Sequence, residues 1–194
     1  MILVIDTSSA LAALALLDQA RNPVREATYP SGRTFDLPAL YREGAGGEKL
    51  TALAVATGPG SFTGLRAGVS FGLGLAMGLR IPIIPLATLS LQSARSEEAV
   101  VAVAEAGRGR VYFQAAGGEI GLAEPDQLPK NLPLVGWLRP ATEAALIASG
   151  LRFKPESELR SFGSAASRVL ESANEVPYGS LRLEYMQSFS APRA

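Results

Sequence analysis

The stretch from Ala52 to Leu89 constrains the fold more than any other. Ala52-Leu53-Ala54-Val55-Ala56-Thr57 is a short apolar run that reads as a buried strand. Gly58-Pro59-Gly60-Ser61-Phe62-Thr63-Gly64-Leu65-Arg66 follows as a glycine-rich turn, and Ala67 to Leu79 reads as a helix. Arg80-Ile81-Pro82 ends that helix, and Ile81 to Leu86 reads as a second strand. Strand, turn, helix and strand make a crossover of the kind that builds parallel sheets. The turn predicts positive φ at Gly58 and Gly60, with Pro59 held near its own φ between them. Ser61 or Thr63 is expected to cap the helix. Backbone N–H groups at such a helix start form a ready anion site, which Arg66 is placed to reinforce. Two standard nucleotide motifs fail on spacing. A phosphate-binding loop needs Lys and a hydroxyl after its last glycine, where Leu65-Arg66 stands, and a dinucleotide fingerprint needs glycine where Thr63 stands. An anion site and a plain strand-to-helix turn both stay open.

Glycines recur along the helix. Gly64, Gly68 and Gly72 are spaced by four, as are Gly74 and Gly78. Each costs roughly 1 kcal/mol against Ala in a helix, so this one needs tight packing on its own sheet, on a partner helix, or on both. In a membrane the spacing would mark a pairing face. Arg66, Arg80, Pro82 and Pro85 interrupt the apolar run, leaving too few residues to span a bilayer.

Before this unit lies a meander. Ile2 to Ile5 reads as a strand, Asp6-Thr7-Ser8-Ser9 as a turn, Ala10 to Leu17 as a returning strand and Val24 to Tyr29 as a third. Asp6 is the only acid on a strand end here, and Asp6 and Ser8 either satisfy turn N–H groups or face a ligand. Phe35, Leu37, Leu40 and Tyr41 form an apolar stripe on a short helix, roughly Phe35–Glu43, with Pro38 in its first turn. After a polar boundary at Ser93 to Glu98, Val100 to Ala104 reads as a strand. Glu105 to Phe113 reads as a hairpin turn with its charges facing water, leading into a second strand. Leu134 to Trp137 is a short strand, and Thr142 to Ser149 and Ala165 to Ala173 are helices.

Composition narrows the chemistry. The chain has 194 residues, 47% hydrophobic and 19% charged, enough for one large domain or two lobes. Lys plus Arg and Asp plus Glu are both 18, which argues against a dominant nucleic-acid surface. There is no cysteine and no histidine, which removes thiolate chemistry, cysteine-bound zinc and the commonest general base. The three lysines, Lys49, Lys130 and Lys154, lie in apparent loops, so no Ser–Lys pair forms in sequence. Any metal site would be built from oxygen alone. Met1 leads straight into a strand without an export signal, so a cytoplasmic chain is expected.

The run Gly58 to Arg66 after an apolar strand, with Ile5-Asp6-Thr7-Ser8-Ser9 at the start, resembles the TsaB (YeaZ) family over roughly residues 1–18 and 52–92. Thr88-Leu89-Ser90-Leu91-Gln92 resembles that family's segment leading out of its first lobe, and Leu183 to Gln187 its terminal motif. The chain departs from the family pattern with Glu105 for Asp, Gly107 for Arg and Leu183 for Pro. The resemblance implies an α/β actin-like ATPase (ASKHA, ribonuclease H-like) fold with two lobes, residues 1–95 and 96–194, the last helix free to pack back on the first lobe. It implies a non-catalytic paralogue of TsaD, whose catalytic chemistry uses a histidine-ligated metal. Such a chain is the scaffold subunit of the bacterial complex that makes threonylcarbamoyladenosine in tRNA. Its implied partners are TsaD, the ATPase TsaE and, through the complex, tRNA, with a homodimer when alone.

The candidate nucleotide or anion contacts are Asp6, Thr7, Ser8, Gly58, Gly60, Ser61 and Thr63, the first turn being the phosphate-binding turn of that superfamily. The candidate partner interface is Leu37, Leu40, Tyr41, Gly68, Val69, Gly72 and Leu73. No catalytic residue and no metal site are assigned. The chain alone requires no cofactor, and ATP or ADP at the subunit interface stays open. A nucleotide-binding or hydrolysing regulator and a glycoprotease-like peptidase are the alternatives.

Overall fold

Alternation along the first strand sets the architecture. In the computed structural model, which describes residues 1–32 and 36–184, β1 (Ile2–Asp6) sends Leu3 and Ile5 to one face and Val4 to the other, and all three are buried. A strand buried on both faces needs a layer on each. It lies in a five-stranded sheet with β2 (Leu11–Leu17), β3 (Pro23–Pro30), β4 (Ala52–Gly58) and β5 (Ile83–Ala87), in the order β3-β2-β1-β4-β5. The first three strands form the expected antiparallel meander, and β4 and β5 run parallel to β1.

Two helices cover the Leu3 and Ile5 face. The first, α1 (Leu37–Ala45), starts at an Asp36 cap that accepts the Ala39 N–H at 3.0 Å. Positions 33–35, including Phe35, lie outside the described residues. The second, α2 (Phe62–Leu79), begins five residues before the expected start because Ser61 is its cap, accepting the Gly64 N–H at 3.4 Å. The other face receives the short helix α3 (Thr88–Ser93), whose Leu91 packs with Val4, Ala13 and Ala54.

A second sheet contains β6 (Val101–Gly107), β7 (Arg110–Ala115), β8 (Gly121–Ala123) and β9 (Leu134–Val135), in the order β8-β7-β6-β9. Leu146 of α4 (Pro140–Ala148) joins Val101, Val103 and Val111 on one face. Leu89 of α3 joins Ala102, Ala104 and Tyr112 on the other. One helix of six residues therefore serves both sheets, with Leu89 in one core and Leu91 in the other. The last helix, α5 (Phe162–Val169), starts at the Ser161 cap, three residues before the expected start, and returns to the first sheet beside Trp137.

The glycine spacing of α2 is used inside the chain. A Cβ on Gly64 would sit 1.9 Å from the Thr7 carbonyl, one on Gly68 2.2 Å from Thr7 Oγ1, and one on Gly72 2.8 Å from Leu53. Gly74 and Gly78 face open space. The helix has 18 residues at a mean hydropathy of 1.2, so by length and composition it could cross a bilayer, contrary to the expectation that the apolar run is too short. Its glycine edge is instead seated on the strands of its own sheet.

Gly64→Ala should therefore destabilise the fold by ~1–3 kcal/mol or more, the cost of overpacking against backbone. Gly74→Ala, with nothing to meet, should stabilise it by up to ~1 kcal/mol. Urea denaturation of both variants checks the contrast, and equal effects would refute this placement of the helix.

Candidate functional site

Parallel pairing of β1 and β4 brings the turns after both strands to the same sheet edge. That edge is where open α/β sheets bind ligands. The turns are stitched together directly. Ser61 N–H donates to the Ser8 carbonyl at 2.7 Å, and Thr7 Oγ1 donates to the Gly64 carbonyl at 2.7 Å. Gly58 has φ +122°, a conformation that favours glycine. Gly60 does not take the positive φ expected of it. It is needed for closeness, since a Cβ there would meet the Ser8 carbonyl at 2.6 Å.

Asp6 lies beneath these turns with no exposure. Its Oδ1 accepts the Ser8 N–H at 2.8 Å, while Oδ2 has no hydrogen-bond partner among the described residues. Burial pushes its carboxyl above the usual 3.8, and the bonds from Ser8 offset only part of that. Ser8 and Ser9 are also buried, with their hydroxyls 3.3 Å apart.

Above the turns an open cleft of about 1370 Å³ separates the two sheets. Thr7, Gly60, Ser61 and Thr63 line its near wall, while Asp6, Ser8 and Gly58 do not reach it. The seven candidate contacts are thus neighbours divided into a lining layer and a supporting layer. The far wall includes Glu105, Trp137, Leu138 and Arg139. Glu105 is buried, contrary to the expectation that it faces water. It accepts the Arg139 backbone N–H at 2.8 Å and Arg139 Nη2 at 2.9 Å. Burial alone would raise its carboxyl, but bonds from Arg139 and Thr142 hold it below the usual range. Trp137 Nε1 donates to Glu156 at 3.2 Å, and the Arg95 guanidinium, paired with Glu156, lies 4.5 Å from the Trp137 ring centroid.

The cleft lining carries four carboxylates, from Glu105, Glu143, Glu156 and Glu184, against two cations, Arg139 and Lys154. That balance disfavours a bare polyphosphate. The Arg66 guanidinium stacks over the Phe62 ring, 3.9 Å from its centroid. No group of three or more Asp and Glu side chains gathers to hold a metal among the described residues. Arg139 and Glu156 escaped sequence reasoning because only folding brings them to the cleft. The Arg139-Pro140 pair at a helix start was the one local signal available.

The expected partner face divides as well. Gly68, Val69 and Gly72 are buried against the chain's own sheet, and so is Leu37, which leaves these four little surface to offer a partner. Leu40, Tyr41 and Leu73 are half-buried. The exposed side of α2 carries Ala67, Ser70, Gly74 and Met77. Tyr41 packs edge-on against Phe71 at 5.8 Å, so the two helices present one continuous surface.

Asp6→Asn keeps the acceptor for the Ser8 N–H and removes the ionisation. A carboxyl raised in the fold contributes most below its unfolded pKa of 3.8, and that contribution is lost as pH rises through its folded value. The stability of Asp6→Asn relative to the parent chain should therefore increase from pH 4 to pH 7. Denaturation at several pH values reads this, and a constant difference would contradict the burial of an ionisable Asp6.

Comparison with known proteins places this geometry. A family model described as TsaD, tRNA N6-adenosine threonylcarbamoyltransferase, matches residues 39–128. The tRNA threonylcarbamoyladenosine biosynthesis protein TsaB of Haemophilus influenzae is 34% identical over 122 residues, which cover 58% of this chain and 52% of that protein. The protein of the same name from Bacillus subtilis is 32% identical over 149 residues, covering 71% of this chain and 64% of that one. The chain thus spans between half and two thirds of the length of these relatives. The solved structure of YeaZ from Pseudomonas aeruginosa superposes with a TM-score of 0.71 at 19% identity, over 95% of this chain and 99% of that one. The fold is the two-sheet, actin-like α/β fold.

Proposed function

We propose that this chain is a member of the TsaB (YeaZ) family, a reading that its likeness to the TsaB proteins supports, and that it is the non-catalytic scaffold subunit of the machinery that makes threonylcarbamoyladenosine in tRNA. Its partners in this reading are TsaD, which carries the chemistry, and TsaE, the ATPase. tRNA is engaged through the complex, in the cytoplasm. The observation that carries the reading is the surface formed by α1 and α2. Leu40, Tyr41, Phe71 and Leu73 are only half-buried there, beside exposed Ala67, Ser70, Gly74 and Met77. Small residues four apart on a helix let a partner helix approach closely. The partner face is therefore shifted by one helix edge from Gly68 and Gly72 to Ser70 and Gly74. Related folds in the two subunits make a pseudo-symmetric helix pair the natural joint, and a second copy fills the same face when TsaD is absent.

A sequence without histidine or cysteine supports the non-catalytic assignment. So does Asp6, whose Oδ1 accepts a turn N–H and which sits below the cleft rather than in its lining. A nucleotide-binding regulator is the second reading, favoured by the α2 N-terminus opening on the cleft. Calorimetric titration with ATP separates the two, because binding by the isolated chain supports the regulator.

The scaffold reading is checked by light scattering after size exclusion, on the chain alone and mixed with TsaD. A homodimer should give way to a heterodimer. Gly74→Arg, on the exposed face, should keep its fold by circular dichroism and weaken assembly by about 30-fold or more, a hot-spot loss. Undiminished assembly of the folded variant would remove α2 from the interface.

A further inference from the structure

Polar contacts run beneath the cleft from each wall and stop short of one another. From the near wall, Ser61 N–H donates to the Ser8 carbonyl at 2.7 Å, and Ser8 N–H donates to Asp6 Oδ1 at 2.8 Å. From the far wall, Trp137 Nε1 donates to Glu156 at 3.2 Å, Glu156 pairs with Arg95, and Arg95 Nη1 donates to Gln92 Oε1 at 3.4 Å. The two runs end at Asp6 Oδ2 and Gln92 Nε2. Both are buried atoms without a hydrogen-bond partner among the described residues, and the Thr88 hydroxyl is a third. All three residues have no exposure. A buried polar atom left unpaired is costly, so each needs a partner.

The backbone directs the three to one seam. Asp6 shares the Val4 face of β1 by strand alternation, and Leu91 of α3 packs on that face. Its register partner there is the small Ala13, and Ala56 follows Val55, the parallel partner of Ile5. Around α3, at about 100° per residue, Leu89 and Leu91 stand roughly 160° apart and enter different cores. Thr88 and Gln92 fall between them, within about 20° of the midline, and so face the seam between the two sheets. The Gln92 amide is oriented by chemistry. A guanidinium has no acceptor, so the amide oxygen faces Arg95 and the nitrogen is turned from it.

The three atoms are complementary. Gln92 Nε2 donates, Asp6 Oδ2 accepts and the Thr88 hydroxyl does either. A buried water makes about three hydrogen bonds to groups of this kind. We propose that Asp6, Thr88 and Gln92 converge on one ordered water beneath the cleft, which joins the two walls through a continuous polar path. The water accepts from Gln92 Nε2 and donates to Asp6 Oδ2, with the Thr88 hydroxyl on its third side. A ligand or partner that displaces Trp137 is then felt at Ser61. The inference is independent of the scaffold reading, which concerns the α1 and α2 surface.

A mutant cycle on the full chain tests the convergence. Thr88→Val keeps the side-chain shape and removes the hydroxyl. The effect of Asp6→Asn on the unfolding equilibrium should differ by about fivefold between the parent and the Thr88→Val background, the scale of coupling inside one network. Effects that combine independently within about twofold would overturn the convergence. A second measurement needs no altered fold. In the unmodified chain the buried Gln92 side-chain amide should give a cross-peak to water, opposite in sign in the laboratory and rotating frames, which marks proximity rather than exchange. Gln92→Leu assigns that resonance by its loss, and an amide without the cross-peak would overturn the water bridge. The chain has one tryptophan, so its indole N–H reports the far wall unambiguously. Thr88→Val should shift the Trp137 indole and the Ser61 amide together and leave Gly118, between β7 and β8, in place. A shift at one wall alone, or at neither, would overturn the path.

Discussion

The structure depends on one close backbone approach, that of Thr7 to the first turns of α2. The Thr7 carbonyl fills the place of a Gly64 side chain, and its hydroxyl fills that of Gly68 and donates to the Gly64 carbonyl. Two helical glycines cost about 2 kcal/mol together against alanine. The contact they permit joins the turn after β1 to the turn after β4. Without it the helix would stand off the sheet, and the near wall of the cleft would not exist. The same approach buries Asp6 beneath the joint, where a carboxylate lacking a partner on one oxygen works against ionisation.

The second sheet is tied to the first through α3 and a polar seam. Leu89 and Leu91 point into different cores, so the two layers share one short helix. Beside it Arg95 is buried against Trp137 and pairs with Glu156, while Lys154 reaches Glu98 at 2.6 Å and Arg160 reaches Glu97 at 2.6 Å. The exposed pairs add little individually. Arg95 differs, because a guanidinium taken out of water has to keep its partners.

The two edges of α2 divide the labour of the chain. Gly64, Gly68 and Gly72 recur every four residues on the inner edge, while Ser70 and Gly74 show the same spacing on the outer one. At 100° per residue, a shift of two positions turns a residue from the sheet to solvent. Sequence spacing alone cannot say which edge of such a helix is inside. That is why the partner face expected at Gly68 and Gly72 lies at Ser70 and Gly74 in the proposed reading. Glu105 was misread for a related reason. A charged residue near a Gly-Arg-Gly hairpin suggests solvent, and its partner Arg139 is 34 positions away.

By itself the sequence determined the strand–turn–helix–strand unit, the opening meander, a hydroxyl cap at Ser61 or Thr63 and the absence of histidine and cysteine chemistry. These are local or compositional properties, set by hydrophobic period, by glycine and proline geometry and by the side chains available. Only the tertiary structure decided which glycines meet a backbone, that Asp6 and Ser8 support the cleft rather than line it, that Glu105 is buried on Arg139, and that the chain's return brings Glu184 to the cleft. Each of these joins residues distant in sequence, and such contacts follow from how the layers close, which no local pattern encodes.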